Sequence, residues 1–165
     1  MQLRVTHKFV LIIGIITSIF ACDKGRKFDA YISFGASGWD KENPASFQFQ
    51  IQDTLSKNDL FINIRNTNEY QFSNLFVITE LIYPNGFYVI DTLEYEMADE
   101  QGKWLGKGFT DLKQSKLFYK ESFVFPILGD YQINIQQAMR KRDQIDGIQN
   151  LKGISDVGFR VETVR

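Results

Sequence analysis

The side chains that most often carry chemistry are scarce in this sequence. Its 165 residues hold one histidine, His7, and one cysteine, Cys22. Both belong to the N-terminal apolar segment or its edge. With that segment removed, there is no Ser-His-Asp triad, no thiolate nucleophile and no histidine proton shuttle. The usual zinc sets need His or Cys, so no zinc is expected. No disulfide is expected either, and no other cofactor. Carboxylates are then the remaining acid-base groups, and Asp91, Glu94, Glu96, Asp99 and Glu100 fall close together in sequence. A glycosidase needs two such groups held across a cleft. Glu94 and Glu96 on one strand face would stand about 7 Å apart. Acids alternating along a solvated strand have the same spacing, and that plainer reading is preferred, so no enzyme activity is expected.

Other motifs fare no better as catalysts. The stretch Gly102-Lys103-Trp104-Leu105-Gly106-Lys107-Gly108 invites comparison with a phosphate loop. It lacks the Gly-x4-Gly-Lys-Ser/Thr spacing and a following helix. It reads instead as a glycine-rich turn, with Trp104 and Leu105 as an apolar anchor between Lys103 and Lys107. That composition suits a partner contact; the competing reading folds Trp104 back to plug the end of the domain. Asp143-Gln144-Ile145-Asp146-Gly147 lacks the alternating ligands of a calcium loop. Arg140-Lys141-Arg142 could touch acidic lipid or a partner, but reads more simply as a solvated turn. Trp39, Trp104, Phe87 and Tyr88 could make a sugar-stacking face, although most aromatics in a sheet protein are core.

The N-terminus carries a different chemistry. Arg4, His7 and Lys8 precede an apolar run from Phe9 to Ala21, with no acid among them. This is the layout of a secretory signal. A membrane span needs about 20 apolar residues, and this run is too short for one. Ile19-Phe20-Ala21-Cys22 follows the lipobox pattern, with Phe20 bulkier than usual at its position. Only a thiol can take the diacylglyceryl thioether, and a small residue before it lets the peptidase approach. Residues 1–21 are therefore expected to be cleaved, leaving a lipidated Cys22. Acyl chains contributing about 0.8 kcal/mol per buried methylene would then hold the protein on a membrane. Residues 22–27 would be a short polar tether, which keeps the domain close to that membrane.

The elements behind these residues read as strands. Phe47, Phe49 and Ile51 alternate with Gln48, Gln50 and Gln52. Leu60, Ile62 and Ile64 alternate with Phe61, Asn63 and Arg65; Tyr131, Ile133 and Ile135 with Gln132, Asn134 and Gln136; Val157, Phe159 and Val161 with Gly158, Arg160 and Glu162. Each run predicts a half-buried strand. Residues 75–83, apolar on both faces, suit a central strand. Pro84-Asn85-Gly86 predicts a hairpin into a strand over 87–97. Further strands are expected over 27–34 and 116–125, and a short helix within 137–153. The fold class is all-β, a single antiparallel β-sandwich of about eight strands over residues 28–165. With 19 Lys+Arg against 20 Asp+Glu, the chain lacks the basic excess of a nucleic-acid binder.

Several strings together carry a family resemblance. They include Trp39-Asp40-Lys41, Leu60-Phe61-Ile62-Asn63-Ile64-Arg65-Asn66, Asp91-Thr92-Leu93-Glu94-Tyr95, the glycine-rich stretch from Gly102 to Gly108, Gln136-Gln137-Ala138-Met139-Arg140 and Gly153-Ile154-Ser155-Asp156-Val157-Gly158. In their order, behind a lipobox, they resemble the gliding motility lipoprotein GldH family. The resemblance implies a noncatalytic lipoprotein of the cell envelope, needed for gliding and linked to type IX secretion. Its partners would be the membrane, through lipid on Cys22, and other envelope proteins of the gliding machinery. An outer-membrane position facing the periplasm is expected, although Asp23 after the cysteine retains some lipoproteins on the inner membrane. Cys22 is the only site with a defined chemical role that the resemblance carries over. The alternative is an envelope glycan-binding sandwich lipoprotein.

Overall fold

The computed structural model describes residues 25–108, 110–142 and 144–164. Eight long strands are present: β1 (Arg26–Ser33), β3 (Ala45–Ile51), β4 (Asn58–Asn66), β5 (Asn74–Ile82), β6 (Tyr88–Glu96), β7 (Lys113–Phe123), β8 (Gly129–Gln137) and β10 (Ile154–Thr163). They coincide, within a few residues at each end, with the eight strands expected from the sequence. Two short strands, β2 (Trp39–Asp40) and β9 (Asn150–Leu151), pair with each other. One sheet has the order β1-β10-β4-β7 and the other β3-β8-β5-β6, all antiparallel. Counted in chain order, the long strands read 1-8-3-6 and 2-7-4-5, the order of a jelly roll. Only β5 and β6 form a hairpin within one sheet; every other connection between long strands crosses from sheet to sheet.

The period of two explains the core. On β3, Ala45, Phe47, Phe49 and Ile51 are buried while Ser46, Gln48 and Gln50 face water. Phe49 lies at the centre of an aromatic cluster, 5.3 Å from Phe159, 5.8 Å from Tyr131 and 5.9 Å from Phe125. Such pairs stabilise by about 0.5–1.5 kcal/mol beyond their area burial. β5 lies between β8 and β6, as its two-sided apolar sequence predicts.

Two expectations change. Among the described residues of 137–153 there is no helix. β8 runs through Gln137, whose side chain then closes the following loop: its Nε2 donates to the Ile148 carbonyl (2.5 Å) and its Oε1 accepts from the Met139 amide (2.9 Å). Met139 is buried, so local helical propensity yields to tertiary packing. β4 is also more covered than a half-buried strand. Phe61 and Asn63, expected on the open face, are both buried. Phe118 stacks on Phe61 at 4.5 Å and the Lys116 ammonium sits 3.8 Å from the same ring. Long side chains from neighbouring strands thus roof the outer face.

Candidate functional site

The strand directions sort every loop to one of two ends. β1 enters at Arg26 beside Glu162, and β4 begins at Asn58 beside Thr163. This proximal end, where the chain enters the sandwich, carries the loops 52–57, 83–87 and 124–128. The distal end carries the loops 34–38, 67–73, 97–112 and 138–149.

Cys22 and the cleavage site lie outside the described residues. The chain is nonetheless fixed to the sheet from its first described residue. The Gly25 carbonyl accepts from the Thr163 amide (2.8 Å), and β1 begins one residue later. At no more than about 3.6 Å per residue, Gly25 lies within about 11 Å of Cys22.

The glycine-rich loop is a distal hairpin. Asp99 nucleates it: its Oδ1 accepts from the amides of Gln101 (3.0 Å) and Lys103 (2.8 Å). Leu105 then donates its amide to the Met97 carbonyl (3.0 Å), and Lys107 and Gln114 exchange two backbone bonds of 2.8 Å. The four contact residues expected from the sequence are split by this geometry. Trp104 turns inward, half-buried, with its ring 6.1 Å from that of Tyr70 and its Nε1 donating to Asn68 Oδ1 (3.0 Å). Leu105 is 53% exposed, and Lys103 and Lys107 also face water. Residues 110–112 lead from this loop directly into β7, not into a helix.

The carboxylates are separated by the pleat. Asp91 points to the half-buried face of β6, where it accepts from Tyr119 Oη (2.9 Å) and Lys120 Nζ (2.8 Å). Burial alone would raise its pKa, but these two bonds and the Lys120 charge hold it below its usual value. Burial also pushes the Tyr119 phenol well above its ordinary range, as it does those of Tyr70 and Tyr95. Glu94 and Glu96 occupy the opposite, exposed face, where Glu94 accepts from Asn74 Nδ2 (2.7 Å). With Asp99, Glu100 and Leu105 they line a shallow hollow of about 500 Å³. Among the described residues, no group of three His, Cys, Asp or Glu is placed to hold a metal ion.

The remaining motifs also divide between the ends. Arg140, Lys141 and Arg142 rim a distal groove of about 890 Å³ whose apolar wall includes Phe72, Phe76 and Met139. Asp143, which completes the rejected calcium motif, lies outside the described residues. The four aromatics weighed as a sugar face do not form one. Trp39 is 0% exposed, stacked on Phe34 at 5.4 Å. Trp104 is half-buried at the distal end, while Phe87 and Tyr88 are exposed at the opposite end of β6. Sequence reasoning missed a cluster at the proximal end. Leu55, Phe87, Tyr88, Val124 and Leu128 are all exposed there. The available signal was apolar residues inside turn segments: 83–87 and 124–128 contain no charge.

The sequence matches known proteins over nearly its whole length. The gliding motility lipoprotein GldH homolog of Christiangramia forsetii is 50% identical over 156 residues, covering 93% of this chain and 95% of that protein. The gliding motility lipoprotein GldH of Flavobacterium johnsoniae is 44% identical over 160 residues, covering 97% and 98%. Among solved structures, the VP2 subviral particle of infectious bursal disease virus aligns at a TM-score of 0.36 and 15% identity, over 84% of this chain and 31% of that one. A likeness that weak carries no argument about fold or function. The family match is direct: the GldH lipoprotein profile spans residues 26–161, the entire sandwich from the first residue of β1 nearly to the end of β10, and the chain belongs to the GldH lipoprotein family.

Proposed function

We propose that this chain is a lipid-anchored envelope protein, acylated on Cys22, that serves gliding motility as a noncatalytic component linked to type IX secretion. The observation that carries the reading is the near full-length identity to two proteins named as gliding motility lipoproteins. The lipobox ending at Cys22 supports the anchor, the family supports a place in the cell envelope, and the position proposed there is the outer membrane, facing the periplasm. The geometry supports a binding role over a catalytic one. Asp91 is engaged by Tyr119 and Lys120 on the face of β6 opposite Glu94 and Glu96, and those two line an open, shallow hollow, with Glu94 engaged by Asn74. The distal loop offers Leu105, Lys103 and Lys107 outward while Trp104 holds the loop down. That arrangement suits contact with another protein of the gliding machinery.

The anchor is tested by changing Cys22→Ala and labelling cells with a fatty-acid analogue. The variant should lose the label and remain unprocessed. Label kept on the variant would contradict acylation at Cys22. Enzymatic roles are tested separately: Glu94→Gln with Glu96→Gln should leave gliding intact, and loss of gliding with an intact fold would argue for a chemical role.

A further inference from the structure

We propose that the proximal end of the sandwich docks on the bilayer that holds the chain's own lipid, with its three loops inserted into the interface. The inference rests on acylation at Cys22. It adds a second, noncovalent membrane contact that no known feature of the sequence assigns.

The first observation is where the exposed apolar residues fall. Each of the three proximal loops presents at least one. Leu55 is 88% exposed on the loop from β3 to β4, Phe87 60% on the β5–β6 hairpin, and Leu128 57% on the loop from β7 to β8. Val124 and Tyr88 flank them and are also exposed. These residues are far apart in sequence, and the jelly-roll crossings bring them to one end. The strand ends that carry these loops meet there: Asn58 Nδ2 on β4 donates to the Phe123 carbonyl at the end of β7 (3.4 Å), and Pro84 of the hairpin packs against Gly129 at the start of β8.

The second observation is the length of chain outside this tip. Only Asp23 and Lys24 separate Cys22 from Gly25, which is already bonded to the sheet. A lipidated residue within about 11 Å of Gly25 leaves the proximal end no room to stand away from the bilayer. An exposed leucine or phenylalanine on the end of the sandwich that faces the anchor is best placed in the acyl boundary, and tyrosine suits the headgroup level. Arg26, Lys27 and Lys57 lie around the same end, where lipid phosphates would meet them. Asp53 is already engaged, accepting from Lys27 at 3.4 Å and from the amides of Leu55 and Ser56. A soluble protein partner would have to fit between this tip and the membrane within that short reach. The bilayer needs no such space.

The test uses the lipidated full chain, reconstituted into phosphatidylethanolamine–phosphatidylglycerol vesicles containing acyl-brominated phosphatidylcholine. The two native tryptophans, Trp39 and Trp104, are both distal, so wild-type emission should be unquenched. Leu55→Trp and Leu128→Trp place a reporter on the proximal loops at exposed positions that leave the core untouched. Each added tryptophan should lose roughly half its emission, as for a side chain about 5–10 Å into the interface. Flotation with the vesicles is read in the same samples. A variant that floats without quenching overturns the docking and leaves the anchor standing. A chain that fails to float overturns the anchor itself. Quenching absent from vesicles, with crosslinks from the same positions to a protein in whole envelopes, assigns the tip to a partner and overturns the inference.

Discussion

At the end where the chain enters, the loops 52–57, 83–87 and 124–128 carry only Asp53 and Lys57 as charged residues; Leu55, Phe87, Val124 and Leu128 face outward, while Phe125 enters the core. At the opposite end, the loops 97–112 and 138–149 are rich in charge; Trp104 and Met139 turn inward, while Leu105, Leu112 and Ile145 are exposed. One sandwich thus has a lightly charged tip with an exposed apolar residue on each of its three loops beside its tether, and a charge-rich tip far from it where the exposed Leu105, Leu112 and Ile145 sit among charged neighbours. An isolated exposed leucine means little. Several on separate loops with almost no charge at the tethered end, against exposed leucines and an isoleucine set among charges at the free end, indicate that the two ends meet different surroundings. On the docking proposed above, the proximal end meets the bilayer and the distal loops are left for partners.

The comparison can be broken first at two glycines. Gly153 and Gly86 share a left-handed backbone, with φ of 81° and 82°. A methyl on distal Gly153 would run into the Tyr70 backbone, while proximal Gly86 has open space around it. Gly153→Ala should cost about 3–5 kcal/mol, combining strain with overpacking. Gly86→Ala should cost only the about 1–2 kcal/mol of the strained backbone. Denaturant unfolding of both variants measures this, and equal losses would mean the distal end is not packed as described.

A smaller effect is expected at the distal hairpin. Trp104→Ala should lose about 2 kcal/mol, less than the ~3–5 for a fully buried aromatic, because the indole is only half-covered. Leu105→Glu, on the exposed side of the same loop, should change stability by less than about 0.5 kcal/mol while reducing co-purification of gliding proteins. If both variants unfold alike, the inward and outward roles assigned to these neighbours are wrong.

The pH dependence sharpens the contrast at the smallest scale. Glu162, beside the proximal entry strand, has its pKa lowered: burial opposes ionisation, but Lys116 and Arg160 outweigh it. A lowered carboxylate stabilises above its unfolded value, and that contribution is lost as pH falls through the folded one. Asp91 acts in the same direction. Burial raises Tyr70 at the distal end, and Tyr95 and Tyr119 between the sheets. A raised phenol contributes fully below about pH 10, and the contribution is lost as pH rises beyond it. The unfolding midpoint should therefore be flat from about pH 5 to 9 and fall on both sides. Tyr70→Phe should weaken the alkaline fall and leave the acid one unchanged.

Strand identity was legible in the sequence because one-sided burial imposes a period of two. Phe47, Phe49 and Ile51 could not alternate with glutamines and serve any other element. Pairing between β2 and β9 was not legible, since two residues carry no period. The misread segment after Gln137 shows why local propensity fails. Its shape is set by Gln137 bonding Ile148 and by Met139 entering the core, contacts set by tertiary structure. The burial of Phe61 depended on Lys116 and Phe118, more than fifty residues away. At the site, Cys22 needed only its neighbours to be noticed. The proximal cluster needed the jelly-roll order, because nothing in the sequence says that Leu55, Phe87 and Leu128 share an end.

Thiol accessibility in intact envelopes tests the two-ended account most directly. The lipid would occupy the chain's only cysteine, so single substitutions report cleanly. Leu55→Cys and Leu105→Cys are exposed positions at opposite ends, and each is treated with a membrane-impermeant maleimide in opened envelopes. The account predicts rapid labelling at 105 and strong protection at 55, with protection released by detergent. Equal labelling at both positions would contradict it.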